Sequence, residues 1–166
     1  MIIFRYKIQM MKKPGIFLLL LFINFSALFI GTQLIRTPPK SNNWYNSLNQ
    51  APWTPPGYVF GIAWTSIMIL YTIYWIKPIT SKLITKKIAA LFIIQWILNI
   101  GWNPVFFNYH NTLIGMFIIM LLFISLILAH VELKSKTLTS QTLLILPYLA
   151  WLCVAFSLNA FIYFMN

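Results

Sequence analysis

Few side chains in this chain of 166 residues carry the groups with which proteins usually do chemistry. Glu132 is the single acidic residue, His110 and His130 are the only histidines, and Cys153 is the only cysteine. One carboxylate cannot supply the acid and base pair of a hydrolase. His130 and Glu132 stand two positions apart and would not share a helix face, so these residues define no metal site. A lone cysteine inside an apolar run offers no internal disulfide. Glycine-rich phosphate loops and nucleophile motifs are absent from the sequence. A proton-coupled pump would usually place an ionisable residue at membrane depth, and the central parts of the apolar runs carry none. His110 reads as a loop residue and His130 as a helix-end polar residue. The expectation is therefore no metal, no encoded cofactor and no catalytic residue in the ordinary sense.

What the chain does carry is aromatic and amide chemistry, at informative spacing. In QWILNIGWNPVFF, Gln95, Asn99 and Trp102 follow i, i+4 and i+7 and share one helix face. Two amides in an apolar stretch must find hydrogen-bond partners in neighbouring helices or in a ligand. In PYLAWLCVAFSLNAF, Trp151, Ala155 and Leu158 share a face by the same rule, with Ala155 leaving space. Phe60 and Trp64 are four apart, and Trp75 returns only about 20° away from Trp64. The stretch WYNSLNQAPWTPPGYVFGIAW, residues 44–64, packs three tryptophans, two tyrosines and a phenylalanine among Pro52, Pro55 and Pro56. That is far more aromatic surface than a connecting loop needs. Two readings stand side by side. Trp44, Trp53, Trp75 and Trp102 could be interfacial anchors, with Gln95 and Asn99 joining helices; or these residues could build a pocket for a flat, apolar ligand.

The elements that would hold them are membrane helices. The composition is 60% hydrophobic and only 8% charged, too few charges to cover a soluble domain. Five apolar segments, each about 20 residues, are long enough to cross the hydrocarbon layer as helices. They run over 14–35, 56–76, 88–106, 112–131 and 142–165, and predict an all-α bundle of five transmembrane helices in one domain spanning 1–166. Pro14 and Pro56 suit helix starts. The first segment reads as an uncleaved helix, because its apolar run exceeds a signal core and no small-x-small cleavage site is evident. The net charge of +11 could suggest nucleic acid, yet the basic residues fall beside apolar runs and form no single patch, so no nucleic-acid partner is expected. Arg5, Lys7, Lys12, Lys13, Lys77, Lys82, Lys86, Lys87, Lys134 and Lys136 fall on one side against Arg36 and Lys40 on the other. That bias predicts a cytoplasmic N-terminus and, with helical spans, a bacterial inner membrane.

The ordered motifs resemble the TspO/MBR family, the tryptophan-rich sensory proteins whose mitochondrial members are the translocator proteins. They are the 44–64 stretch, Q-x3-N-x2-W-x-P-x-FF at 95–107, and PYLAW-x3-A-x2-LN at 147–159. The resemblance covers about residues 14–164. It implies a five-helix bundle with a ligand cavity lidded by the first loop, and usually a homodimer. It places Trp53, Pro55 and Pro56 in the lid, and Phe60, Gly61, Trp64, Gln95, Asn99, Trp102, Trp151, Ala155 and Leu158 about the cavity.

There are departures. Ala51 stands where the family commonly has proline. Met68, Tyr71 and Thr72 stand where it often reads Tyr-x2-Met-Gly, so a pocket hydroxyl is expected to be missing. No Lys or Arg follows Tyr163, so the cholesterol pattern of mitochondrial members is not matched there; Leu70-x3-Tyr74-x2-Lys77 is a weak match elsewhere. The resemblance implies a membrane receptor or carrier for porphyrins or related tetrapyrroles. A second reading is light- or oxidant-dependent porphyrin breakdown at the same site, with Trp64 and Trp151 as the implicated residues. A third is a membrane scaffold without small-molecule chemistry.

Overall fold

The computed structural model describes residues 13–134 and 141–166. Arg5, Lys7, Lys12 and Lys136, which enter the charge count above, lie outside the described residues. Six α-helices follow in order among the described residues, with one 3-10 turn at Pro39–Ser41: α1 (Lys13–Gln33), a short α2 (Asn43–Ser47), α3 (Gly57–Thr80), α4 (Lys86–Phe107), α5 (Thr112–Lys134) and α6 (Thr142–Met165). No strand occurs among the described residues. The five long helices have 21 to 24 residues and are each apolar enough to cross a membrane.

Capping explains where several begin. Thr85 accepts from the Ile88 amide at 3.2 Å and starts α4 two residues earlier than its apolar run predicts. Asn111 caps α5 through the Ile114 amide at 2.9 Å, and α5 begins at Thr112 as its apolar run predicts. Asn42 accepts from Tyr45 and nucleates α2, an element that the Pro-rich surroundings concealed. The second span runs past the expected Ile76 to Thr80, carrying Pro78 in its final turns. The fourth also continues past Val131 to Lys134.

The long helices close into a ring in the order α1, α3, α6, α5, α4, with α4 returning to α1. Helices α3 and α4, consecutive in the chain, are not ring neighbours; Tyr71 on α3 reaches Gln95 on α4 with a hydrogen bond. Polar side chains point inward: Asn24, Thr72, Gln95, Ser125 and Asn159 are all buried. Phe22, Phe29, Ile97, Leu121 and Phe164 point outward and are more than half exposed. Such a surface is stable only in lipid, and the chain is an integral, multi-pass membrane protein.

Two glycines permit the closest crossings. A Cβ on Gly31 would stand 2.6 Å from the Asn103 amide nitrogen, and one on Gly115 would stand 2.8 Å from that of Asn159. Helix association in lipid rests on such close approach of backbones.

Candidate ligand cavity and its lid

The ring has two ends. One carries Lys77, Lys82, Lys86 and Lys87; the other is crossed by loop 1, residues 34–56. Loop 1 is docked at several points. The Trp44 ring lies flat on His110 (centroids 4.1 Å, 12°) and edge-on to Phe106 at 5.4 Å. Tyr45 meets Phe107 at 5.4 Å, and burial there pushes its phenol pKa up. Asn42 donates to the Phe107 carbonyl at 3.3 Å. Asn49 and Asn166 exchange two bonds, 2.8 and 3.3 Å long, tying the loop to the end of α6. Trp53 donates from Nε1 to Ser157 at 3.2 Å and stands edge-on to Phe161 at 5.4 Å. Trp44, Tyr45 and Leu48 thus pack on Phe106, Phe107 and Ile162 as a separate aromatic cluster. Pro52 restricts the backbone between the Asn49 and Trp53 anchors, and Pro55 and Pro56 restrict it between Trp53 and α3, so the loop gives up little entropy in holding this shape.

Below the lid the residues expected at the cavity fall into groups. Phe60 on α3 meets Trp151 on α6 edge-on at 5.3 Å, and Trp64 meets Tyr148 at 5.8 Å. Gln95 accepts from Tyr71, and Asn99 donates from Nδ2 to the Tyr148 hydroxyl at 2.6 Å and to the Gln95 carbonyl at 2.9 Å. Tyr148 therefore joins Trp64 to the amide pair. Trp102 sits higher, stacked on Phe106 at 5.0 Å and edge-on to Phe107, bridging the main core and the lid cluster. Ala155 is half-buried beside Trp151 in the main core and Leu158 is buried on the same helix. Pro55 is half-buried. Pro56 and Gly61 are set apart from these groups; both are exposed, and nothing lies within 4 Å of a Cβ built on Gly61.

The interior is well filled. A cavity of about 10 Å³, room for one water, is lined by Asn24, Ala27, Met68, Tyr71, Phe92, Trp96 and Asn99. A wider cleft of about 240 Å³ opens sideways between α3 and α6, with Trp151 on its wall beside Ala63, Ser66 and Ala150. Admitting a large flat molecule to the ring requires the lid or this seam to part.

Several residues differ from the sequence reading. Trp75, a candidate interfacial anchor, is 2% exposed and wedged edge-on among Tyr71, Tyr74 and Phe92. Position 68 is a buried methionine, as the departure from the family pattern indicated. The interior nonetheless has hydroxyls, from Tyr71 and from Thr72, which accepts from Asn24 at 2.9 Å. Tyr148 and Asn159 were not singled out from the sequence. Both lie in the 147–159 motif, three before Trp151 and four after Ala155, on the helix face already marked, so the i, i+3, i+4 rule could have found them. His130 contacts Tyr74 at 3.2 Å and Thr142 at 3.1 Å, joining three helices at the basic end.

A closed ring of five membrane-spanning helices, crossed at one end by a docked aromatic loop and carrying amides and tryptophans inside, defines a class of helical membrane protein. The TspO/MBR family profile matches residues 17–165. Among curated relatives, the Tryptophan-rich protein TspO of Archaeoglobus fulgidus is 32% identical over 95% of this chain and 99% of its own length. Protein CrtK of Rhodobacter capsulatus is 31% identical over 74% of this chain and 78% of its own. The Translocator protein of Ovis aries is 30% identical over 79% and 78%. The chain belongs to the TspO/MBR family.

Proposed function

We propose that this protein is a membrane receptor or carrier that binds a porphyrin or related tetrapyrrole inside the helix ring, beneath the loop-1 lid, in a sensory or tetrapyrrole-homeostasis role. The observation that carries the reading is the lid itself, a proline-stiffened aromatic loop seated on α4 and α6 directly above Trp102. A conjugated macrocycle offers each aromatic neighbour about 0.5–1.5 kcal/mol of stacking. Trp64, Trp102 and Trp151 supply the rings, and the uncommitted Oδ1 of Asn99 and Nε2 of Gln95 supply polar contacts. The relatives named sensory protein and translocator protein fit this reading. Titration of purified protein with protoporphyrin tests it. Tryptophan emission is expected to quench saturably at micromolar concentration, on the order of −8 kcal/mol. Linear, unsaturable quenching would count against a specific pocket.

A second reading, porphyrin breakdown at the same site, is favoured by the place of Trp151 on the wall of the α3–α6 cleft, edge-on to Phe60. Light-dependent loss of the bound pigment's absorbance would separate it from simple binding. The excess of basic residues at the end opposite loop 1 supports an N-terminus in the cytoplasm of a bacterial inner membrane. A cytoplasm-dependent reporter fused after Asn166 is then silent. Homodimer formation rests on family resemblance and is tested by crosslinking in native membranes.

A further inference from the structure

Asn159 on α6 is 2% exposed, and neither its amide nitrogen nor its amide oxygen has a hydrogen-bond partner. The Trp102 Nε1–H on α4 is likewise buried and unpartnered. The two meet at α5: the Asn159 nitrogen and the Trp102 Nε1 lie 2.8 and 3.5 Å from the point where a Cβ on Gly115 would stand. Two unpartnered polar nitrogens from two helices thus converge against a bare glycine backbone. Elsewhere in the ring the inward asparagines Asn24 and Asn99 are bonded to protein hydroxyls. An unpaired polar group in a hydrocarbon setting is costly, so its retention points to a partner from outside the chain. The position is directly under the lid. Trp102 belongs to the lid cluster, as does Ile162, three residues after Asn159 on the same face.

We propose that Asn159 and Trp102 form a polar seat that reads the acid edge of the ligand, which deepens the tetrapyrrole reading above and rests on it. A carboxamide offers an N–H and a C=O side by side. Its complement is a group with C=O and O–H, or C=O and N–H, side by side: a neutral carboxylic acid or a lactam. Trp102 adds a second N–H to the ligand carbonyl. Arg36 and Lys40, the basic residues of loop 1, are both exposed, and the other described basic residues sit at helix ends or in the loop at the far end, so an ionised carboxylate at the buried Asn159 would lack a buried counter-charge and the neutral acid is the form that fits. Porphyrins with carboxylic side chains carry that group at the rim, where the stacking surface ends.

The test uses the full chain in detergent, protoporphyrin and its dimethyl ester, and the variants Asn159→Leu and Trp102→Phe. The ester keeps the carbonyl but loses the O–H that would donate to Asn159. Asn159→Leu removes unpartnered atoms, so the ligand-free protein is expected to melt at the same temperature or higher. Its affinity for the free acid falls about tenfold and for the ester about threefold, and Trp102→Phe weakens both about threefold. A purely structural role for the amide would instead lower the melting temperature and leave both affinities alone, and that overturns the proposal. Equal losses for acid and ester overturn the reading of the acid edge. If wild type binds neither porphyrin saturably, the tetrapyrrole reading itself fails; if it binds both and Asn159→Leu changes neither, only the seat fails.

Discussion

The two ends of the helix ring treat buried polarity differently, although single atoms stay unpartnered towards the basic end as well, at Trp75 Nε1, Gln95 Nε2 and Gln141 Oε1. Towards the basic end, Tyr71, Tyr74, Trp75, Phe92 and Tyr148 interlock, and their polar neighbours bond mostly to one another: Tyr71 to Gln95, Asn99 to Tyr148, Asn24 to Thr72, Tyr74 to His130. Towards the loop-1 end, the Trp102 Nε1–H and both amide atoms of Asn159 are buried without a partner, beneath a loop held by exposed contacts such as Asn49–Asn166 and Trp53–Ser157. The first arrangement is what a membrane bundle needs to hold together, since packing and interhelical hydrogen bonds replace the hydrophobic effect there. The second adds little to folding, and its unpaired atoms subtract from it. A region that costs stability and persists is a candidate for function. Stability and ligand retention are therefore expected to separate by position along the ring.

The largest effect expected is on stability at the basic end. Trp75→Ala empties a fully packed site and costs about 3–5 kcal/mol. Thermal unfolding in detergent is expected to show a markedly lower midpoint, while porphyrin dissociation from the protein that remains folded is unchanged. A faster off-rate with an unchanged midpoint would place Trp75 in the ligand site and break the division.

Next in size is the lid. Changing Pro55 and Pro56 together to glycine frees the backbone between the Trp53 anchor and α3, and Trp53→Ala removes the contact with Ser157 and Phe161. Stopped-flow release of bound porphyrin is expected to speed up about tenfold for either variant, because a loosened lid must be re-ordered at each closure. Helical content by circular dichroism should persist, since the ring is packed elsewhere. Unchanged off-rates would reduce the loop to a membrane anchor.

A smaller effect tests the polar pairing within the core half. Tyr71→Phe keeps the ring among Tyr74, Phe92 and Tyr148 and removes only the O–H donated to Gln95. With Gln95 Nε2 already unpartnered, the whole amide is then stranded, at a cost of about 1 kcal/mol. The melting midpoint should drop modestly. A loss of affinity larger than the loss of stability would mean that Gln95 meets the ligand through the orientation that Tyr71 imposes.

The bundle was legible in the sequence because lipid leaves the backbone few choices: runs of about 20 apolar residues become helices, and their ends follow Pro, Lys and Asn. Boundaries moved where a single cap decided them, as Thr85 does for α4. The faces bearing Gln95, Asn99 and Trp102, and Trp151 and Ala155, were legible from the 3.6-residue period. The fate of each polar group was not, because pairing depends on which helices become ring neighbours. Asn24 and Asn159 look alike in sequence, yet one bonds to Thr72 across α1 and α3 and the other faces Gly115 without a hydrogen bond. Trp75 misled for a related reason: a tryptophan near a helix end suits an interface, but here α4 brings Phe92 against it.

The smallest expected effect probes how much of the lid's hold comes from its outer rim. Trp44 lies flat on His110, but His110 is exposed and Trp44 is also braced edge-on by Phe106. His110 has φ of 52°, a left-handed conformation that Asn tolerates better than most residues. His110→Asn therefore removes the stacked ring without adding backbone strain. The stack is worth about 0.5 kcal/mol at such an exposed site, near the low end for aromatic pairs. The rim contact must break when the lid opens, so porphyrin release is expected to quicken about twofold with no change in melting midpoint. Paired with Trp53→Ala, the two losses should add, since the residues anchor opposite ends of loop 1 to different helices. A double variant that releases ligand no faster than Trp53→Ala alone would mean that the lid hinges at Trp53 and that the Trp44 end stays closed throughout. The sideways cleft between α3 and α6 would then be the way out.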